Sequence, residues 1–176
     1  MSKRWMLVLV AIVALGVVVP AVYGGDKGAG VDSKAAFEKI KGLAGTWEGT
    51  APPEMPNVTV QYRVTGGGSA VVETQFPGTP HEMVTVYHMD GDDVVMTHYC
   101  AAGNQPRMKL DKAASKDDEL YFTFAGGSNV DTAKGAYMHD VRLVLKPGDK
   151  LQEDWTSFKD GKKDHTAVFQ TSRKAS

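Results

Sequence analysis

The chain has one cysteine, Cys100, in 176 residues, which excludes an internal disulfide. In an oxidising compartment a lone thiol is buried, metal-bound or paired between chains, and a buried small hydrophobe is the plainest of the three. There is no basic block either. The 20 basic and 21 acidic residues are interspersed, and without Lys3 and Arg4 the balance is 18 against 21, so nucleic acid is not an expected partner. The longest apolar run, residues 6–19, is about 14 residues, short of the ~20 that a permanent membrane helix needs. Close Cys-x-x-Cys or His-Glu-x-x-His metal spacings and a glycine-framed nucleophile elbow are absent as well.

What is present at the start reads as an export signal over residues 1–24. Lys3 and Arg4 precede the apolar run, and Pro20, Ala21 and the exit Val22-Tyr23-Gly24 follow it. An uncleaved anchor is the alternative. The expected location is periplasmic or secreted, with no stable membrane span in the mature form. Residues 25–31 are a glycine-rich spacer, and residues 32–174 are long enough for one domain with a real core.

Asp32 or Ser33 can cap a short helix in which Phe37, Ile40 and Leu43 or Ala44 share one side, with Gly42 and Gly45 ending it. From Trp47 the hydrophobic period changes to two. Ten strands are predicted, at about 47–52, 57–64, 69–76, 82–90, 93–101, 106–112, 119–125, 137–146, 151–158 and 164–171, separated by turn signals such as Gly66-Gly67-Gly68, Asp90-Gly91 and Asp160-Gly161. Hairpin connections this short exclude a parallel α/β sheet, whose crossovers need about a dozen residues each. An all-β antiparallel meander hides its two edges most simply by closing into a barrel, and about ten strands enclose more room than core side chains fill. A flattened sandwich with a packed interior would give the same periodicity.

The helix, the start Leu43-x-Gly45-x-Trp47-x-Gly49 and the run of hairpins resemble the calycin group, which holds lipocalins, fatty-acid-binding proteins and nitrobindin-like haem barrels. A closer resemblance, over most of residues 35–172, is to a family of uncharacterised bacterial lipocalin-like proteins. It is carried by His98-Tyr99-Cys100, by Gly103-Asn104-Gln105-Pro106-Arg107-Met108, and by Glu153-Asp154-Trp155 followed by Phe158. The resemblance implies a barrel with an internal ligand cavity. A haem barrel of the nitrobindin kind would need a proximal histidine late in the chain, where His165 is the nearest residue, in surroundings that do not carry that family's motif. The cofactor is therefore left unknown.

The hairpin of residues 81–107 is the most informative segment. If Asp90-Gly91 forms its turn, Tyr87 faces Val94, Thr85 faces Met96, Met83 faces His98 and His81 faces Cys100. One surface then carries His81, Met83, Thr85, Tyr87, Val94, Met96, His98 and Cys100, and it is expected to be interior because the other carries Glu82 and Asp93. Two imidazoles and a thiolate from His81, His98 and Cys100 would supply three positions around zinc or copper, or the parts of a thiol enzyme. Alternate residues on one strand are roughly 6.5 to 7 Å apart, which makes proton transfer between His98 and Cys100 awkward. In residues 151–158, burying Trp155 carries Glu153 inward, and a buried carboxylate needs a partner, for which Arg107 or His98 is available. His139 is a further interior candidate, while His88 and His165 are expected to face water.

Two functions stay open from sequence. The first is a small-molecule-binding barrel without catalysis, taking a small apolar or amphipathic molecule. His98, Arg107 and Glu153 would form its polar pole, and Tyr87, Met96 and Trp155 its apolar wall. The second is a metal-dependent or thiol-dependent enzyme using His81, His98 and Cys100.

Overall fold

A computed structural model describes residues 30–53 and 55–175. The expected export signal, residues 1–24, lies outside them. Helix α1 (Ser33–Gly42) begins where expected. Asp32 is the cap, its carboxylate accepting the Ala35 N–H at 2.8 Å, and Ala36, Phe37 and Ile40 form the buried side.

Ten strands follow: β1 (Gly45–Ala51), β2 (Met55–Thr65), β3 (Ala70–Gln75), β4 (Met83–Asp90), β5 (Asp93–Tyr99), β6 (Gln105–Leu110), β7 (Glu119–Ser128), β8 (Ala136–Lys146), β9 (Lys150–Lys159) and β10 (Lys162–Arg173). Each pairs antiparallel with the next, and β10 returns to β1, so the sheet closes into a barrel and hides its edges. This is the calycin or lipocalin-like topology, and the sandwich alternative is set aside. Among the described residues no helix is long and apolar enough to cross a membrane.

The start of β1 shows why its glycines and tryptophan are spaced as they are. Trp47 is buried and donates its indole N–H to the Leu43 carbonyl at 2.8 Å, while the Arg173 guanidinium lies 4.4 Å over its ring. The same Arg173 donates to the carbonyls of Gly42 and Ala44, satisfying groups that the end of α1 leaves open. Gly49 sits where β1 and β10 approach so closely that a Cβ on it would lie 1.9 Å from the Gln170 carbonyl oxygen. Thus the Leu-x-Gly-x-Trp-x-Gly pattern is the seam at which the barrel closes and the helix is tied on.

Helix α1 packs against β2, β4 and β5 at the end that carries the Gly66–Gly68 and Asp90–Asp93 turns. At the opposite end Phe76, with φ of 53°, sets its ring edge-on to Phe169 with centroids 5.7 Å apart. That rim has four irregularities of register, between Pro106 and Met108, Met138 and Asp140, Lys163 and His165, and Gly49 and Ala51. His139, at the second of them, is partly exposed. It stacks on Phe158 at 3.9 Å and on Phe124 at 5.4 Å, so its ring belongs to an aromatic cluster at the rim.

The β4–β5 hairpin differs from expectation by two residues. Its loop is Gly91-Asp92 between the pair Asp90 and Asp93, with Gly91 taking a φ of 58°, and Tyr87 therefore faces Met96 and Thr85 faces His98. Because a slip of two preserves the side on which each residue lies, the interior face is still the one expected. Thr85, Tyr87, Val94, Met96 and His98 are all buried.

Candidate functional site

An antiparallel barrel this regular fills its lumen with alternate residues of each strand, and most of those here are apolar: Val71, Met96, Met108, Leu120, Phe122, Val141, Leu143 and Leu151. Five strands break the pattern at one level. They send in Tyr62 from β2, Glu73 and Gln75 from β3, Thr85 and Tyr87 from β4, His98 from β5, and Glu153 and Trp155 from β9. Cross-strand pairing explains the common level, since Tyr62 faces Glu73, Glu73 faces Thr85 and Thr85 faces His98 in a continuous row. Glu153 and Trp155 reach this row from the other side of the lumen.

The two carboxyl groups are 0% exposed, and every oxygen has a donor. Tyr62 O–H donates to Glu153 Oε1 at 2.9 Å, and the Trp155 indole N–H to Glu153 Oε2 at 3.0 Å. The Gln75 amide donates to Glu73 Oε1 at 2.6 Å, and Tyr87 O–H to Glu73 Oε2 at 2.6 Å. No lysine or arginine is among the buried residues of the described chain. Burial therefore raises the affinity of both carboxyls for a proton, to a pKa of about 7 at Glu153. At Glu73 burial and then repulsion from Glu153 push the value well above the usual carboxylate range. The two carboxyls lie close enough for the charge of one to oppose ionisation of the other, so the pair holds protons more tightly than exposed carboxylates do. Burial and then the adjacent carboxyl groups likewise raise the phenols of Tyr62 and Tyr87, so both remain O–H donors.

His98 completes the centre. Its Nδ1 lies 2.9 Å from Thr85 Oγ1, its ring packs on Trp155 with centroids 4.7 Å apart, and its Nε2 is buried with no hydrogen-bond partner. Burial pushes its pKa down to about 4, so the ring is neutral near pH 7. A buried, unpartnered ring nitrogen costs more than an apolar side chain in its place would.

The structure brings Tyr87, Met96, His98, Glu153 and Trp155 into the lumen as the sequence implied, and it does not bring Arg107 there. Arg107 is exposed on β6, where Pro106, Met108 and Leu110 are the buried alternates. Glu153 is instead served by a phenol and an indole. The expected metal or thiol set is also corrected. His81 is exposed in the turn before β4, Cys100 lies just beyond the end of β5, and His98 is deep in the barrel. Among the described residues no three His, Cys, Asp or Glu side chains are placed to hold a metal ion. His88 and His165 are exposed, as expected, which leaves His165 outside the lumen as a haem ligand.

No family model and no curated protein matches the chain. The lipocalin-like class accordingly rests on strand order and closure.

Sequence reasoning missed Tyr62, Glu73, Gln75 and Thr85 as members of one polar centre. The signal available was parity in β3, where Val71, Glu73 and Gln75 alternate with Ala70, Val72 and Thr74. Sequence alone gives no reason to turn a glutamate inward rather than a threonine.

At this level side chains fill the lumen. Glu73, Thr85, Tyr87, Met96 and His98 are all 0% exposed, because Trp155, Tyr87, Phe122 and Met108 occupy the space that ten strands enclose. Open cavities lie at the surface instead, such as one of about 450 Å³ beside the start of α1, lined by Val31, Ser33, Met89 and Lys112.

Proposed function

We propose that this chain is an exported, small-molecule-binding barrel without catalysis, whose recognition centre is the buried set Glu73, Glu153, His98, Tyr62, Tyr87 and Trp155. The single observation that carries this reading is the buried His98 Nε2, which has no partner, on a ring packed against the Trp155 indole that donates to Glu153. Packing alone would favour an apolar replacement. A ligand's polar group gives these atoms a purpose, and clusters of strongly perturbed titratable groups favour functional sites.

Room for the ligand comes from repacking. Met96 and Met108 face each other across β5 and β6 beside the centre, and Met55, Met89 and Met138 pack on the same core. Methionine is unbranched and changes rotamer at low cost, so such a lumen adapts to an occupant. The ligand enters at the rim around Phe76 and Phe169, opposite the helix.

Trp155 reports directly on the centre, because its indole touches both His98 and Glu153. Screening a library of small apolar and amphipathic molecules against wild type and Trp47→Phe is expected to yield compounds that saturably change Trp155 emission in both proteins. His98→Phe is expected to weaken such compounds by roughly tenfold, the cost of about one buried polar contact. An emission that no compound alters would count against the reading.

Export belongs to the same proposal, supported by Lys3, Arg4 and the short apolar run. N-terminal sequencing of protein recovered from cells is expected to begin at about residue 25, the position after the small-residue exit. A mature chain that still begins at Met1 would contradict it.

A further inference from the structure

Resting on that reading, we propose that the molecule this centre takes is an organic monocation of the amine type, its ammonium set against Glu73 and Glu153 and its apolar body among Met96, Met108 and Phe122. The charge pattern carries the inference. Two carboxyl groups from β3 and β9 meet in the lumen, and the groups bonded to them are Tyr62 of β2, Gln75 of β3, Tyr87 of β4 and Trp155 of β9, with His98 of β5 packed on the Trp155 ring. The alternates that β6, β7, β8 and β10 bury nearby are Met108, Phe122, Leu143 and Phe169, none of them charged.

Every titratable group described at this level is thus acidic or neutral. An anionic ligand would have to approach two carboxyls with no lysine or arginine to receive it. A neutral ligand would leave the pair as it stands. An ammonium supplies what is missing, since each carboxyl oxygen has one protein donor and retains a second lone-pair direction for a ligand N–H. The unpartnered His98 Nε2 is a second, independent buried polar atom, on a ring that packs against the same Trp155 indole, and it can meet a donor or an acceptor because the Thr85 hydroxyl accommodates either tautomer.

Proton balance follows from two buried carboxyls held close together with no cation beside them among the described residues. A carboxyl pair that keeps one proton when empty gives it up to solvent when an ammonium replaces it, so the cation and the proton compete. Affinity for an amine therefore rises with pH through the range in which the pair loses its proton, until the amine itself deprotonates.

Isothermal titration of the full mature protein tests this with three matched probes, 2-phenylethylamine, phenylacetate and 2-phenylethanol, repeated with hexylamine, hexanoate and hexanol. The amine of at least one set is expected to bind at least roughly tenfold more tightly than its carboxylate and alcohol partners, as expected for a charge-assisted contact in a buried site. Repetition at pH 6 in buffers of different ionisation enthalpy is expected to show net proton release on binding. Glu153→Gln and Glu73→Gln are expected to erase the preference for the amine while leaving the alcohol's weak affinity. If either variant fails to fold, the proton release and the probe ranking in wild type decide alone. Tighter binding of a carboxylate or an alcohol, amine binding without proton release, or no binding by either amine overturns the inference. The broader reading falls separately, only if no library compound moves Trp155 emission.

Discussion

Replacing Gly49 by alanine is expected to lower the unfolding free energy by about 3 kcal/mol or more, with denaturant unfolding followed by circular dichroism as the measurement. The reason is the seam. Strand β1 pairs with β10 through Trp47 and Arg173, Glu48 and Ser172, Gly49 and Thr171, and Thr50 and Gln170. A Cβ on Gly49 would stand 1.9 Å from the Gln170 carbonyl oxygen and 2.7 Å from the Thr171 Cα. Both are backbone atoms, so relief requires the two strands to part, and parting them opens the barrel where its first and last strands meet. Gly42→Ala is the control, because nothing lies within 4 Å of a Cβ there. It is expected to be neutral or slightly stabilising. Equal stability of Gly49→Ala and wild type would mean that the seam is looser than described.

The second large effect is a pH dependence with two opposed parts. His98 has a pKa of about 4 in the folded barrel against the ordinary 6.5, so between those values the unfolded chain binds more protons and stability rises with pH. Its full contribution, roughly 3 kcal/mol at about 1.4 kcal/mol per unit, is present above pH 6.5 and lost as pH falls through 4. Glu153 runs the other way. Its folded pKa of about 7 lies above the ordinary 4.5, so the folded state holds the extra proton and stability falls as pH rises through that window. Glu73, also raised by burial and then by Glu153, contributes a change of the same sign.

The two trends offset each other from about pH 4.5 to 6.5, and above that the fall due to Glu153 runs on alone to about pH 7. His98→Phe is expected to remove the acid-side rise, so that stability falls continuously from pH 4.5. Glu153→Gln is expected to remove the opposing fall, so that the His98 rise shows unopposed between about pH 4.5 and 6.5. Chemical denaturation of the three proteins across pH 4 to 8 checks both, because the surface groups are common to all and cancel in the differences. Parallel curves for wild type and both variants would show that these groups titrate like exposed ones.

Much of this fold is legible in the chain because each strand runs between strong turn signals. Gly91, Gly148 and Gly161 all adopt positive φ, and all fall in connections anticipated from sequence. The hairpin register is not legible, since Asp90-Gly91 and Gly91-Asp92 are both acceptable two-residue loops, and only tertiary pairing chooses between them. The facing of the residues is unaffected because the two registers differ by an even number. Arg107 is the instructive failure among the site residues. Pairing it with Glu153 turns it inward, yet it shares its side of β6 with Lys109, and two cations on one side mark the solvent face. The buried carboxyl is real, but its partner from another strand is Tyr62 on β2, 91 residues away, and their meeting depends on barrel closure, which no local pattern encodes.

Crystallographic density in the lumen of the mature protein, purified from cells without a denaturing step, tests the central claim most directly. The expected result is a small molecule within hydrogen-bonding distance of His98 Nε2 and in contact with Glu73 or Glu153, with Met96 or Met108 displaced to admit it. A lumen packed as described, with His98 Nε2 still unpartnered and no added density even after soaking with compounds that alter Trp155 emission, would contradict it.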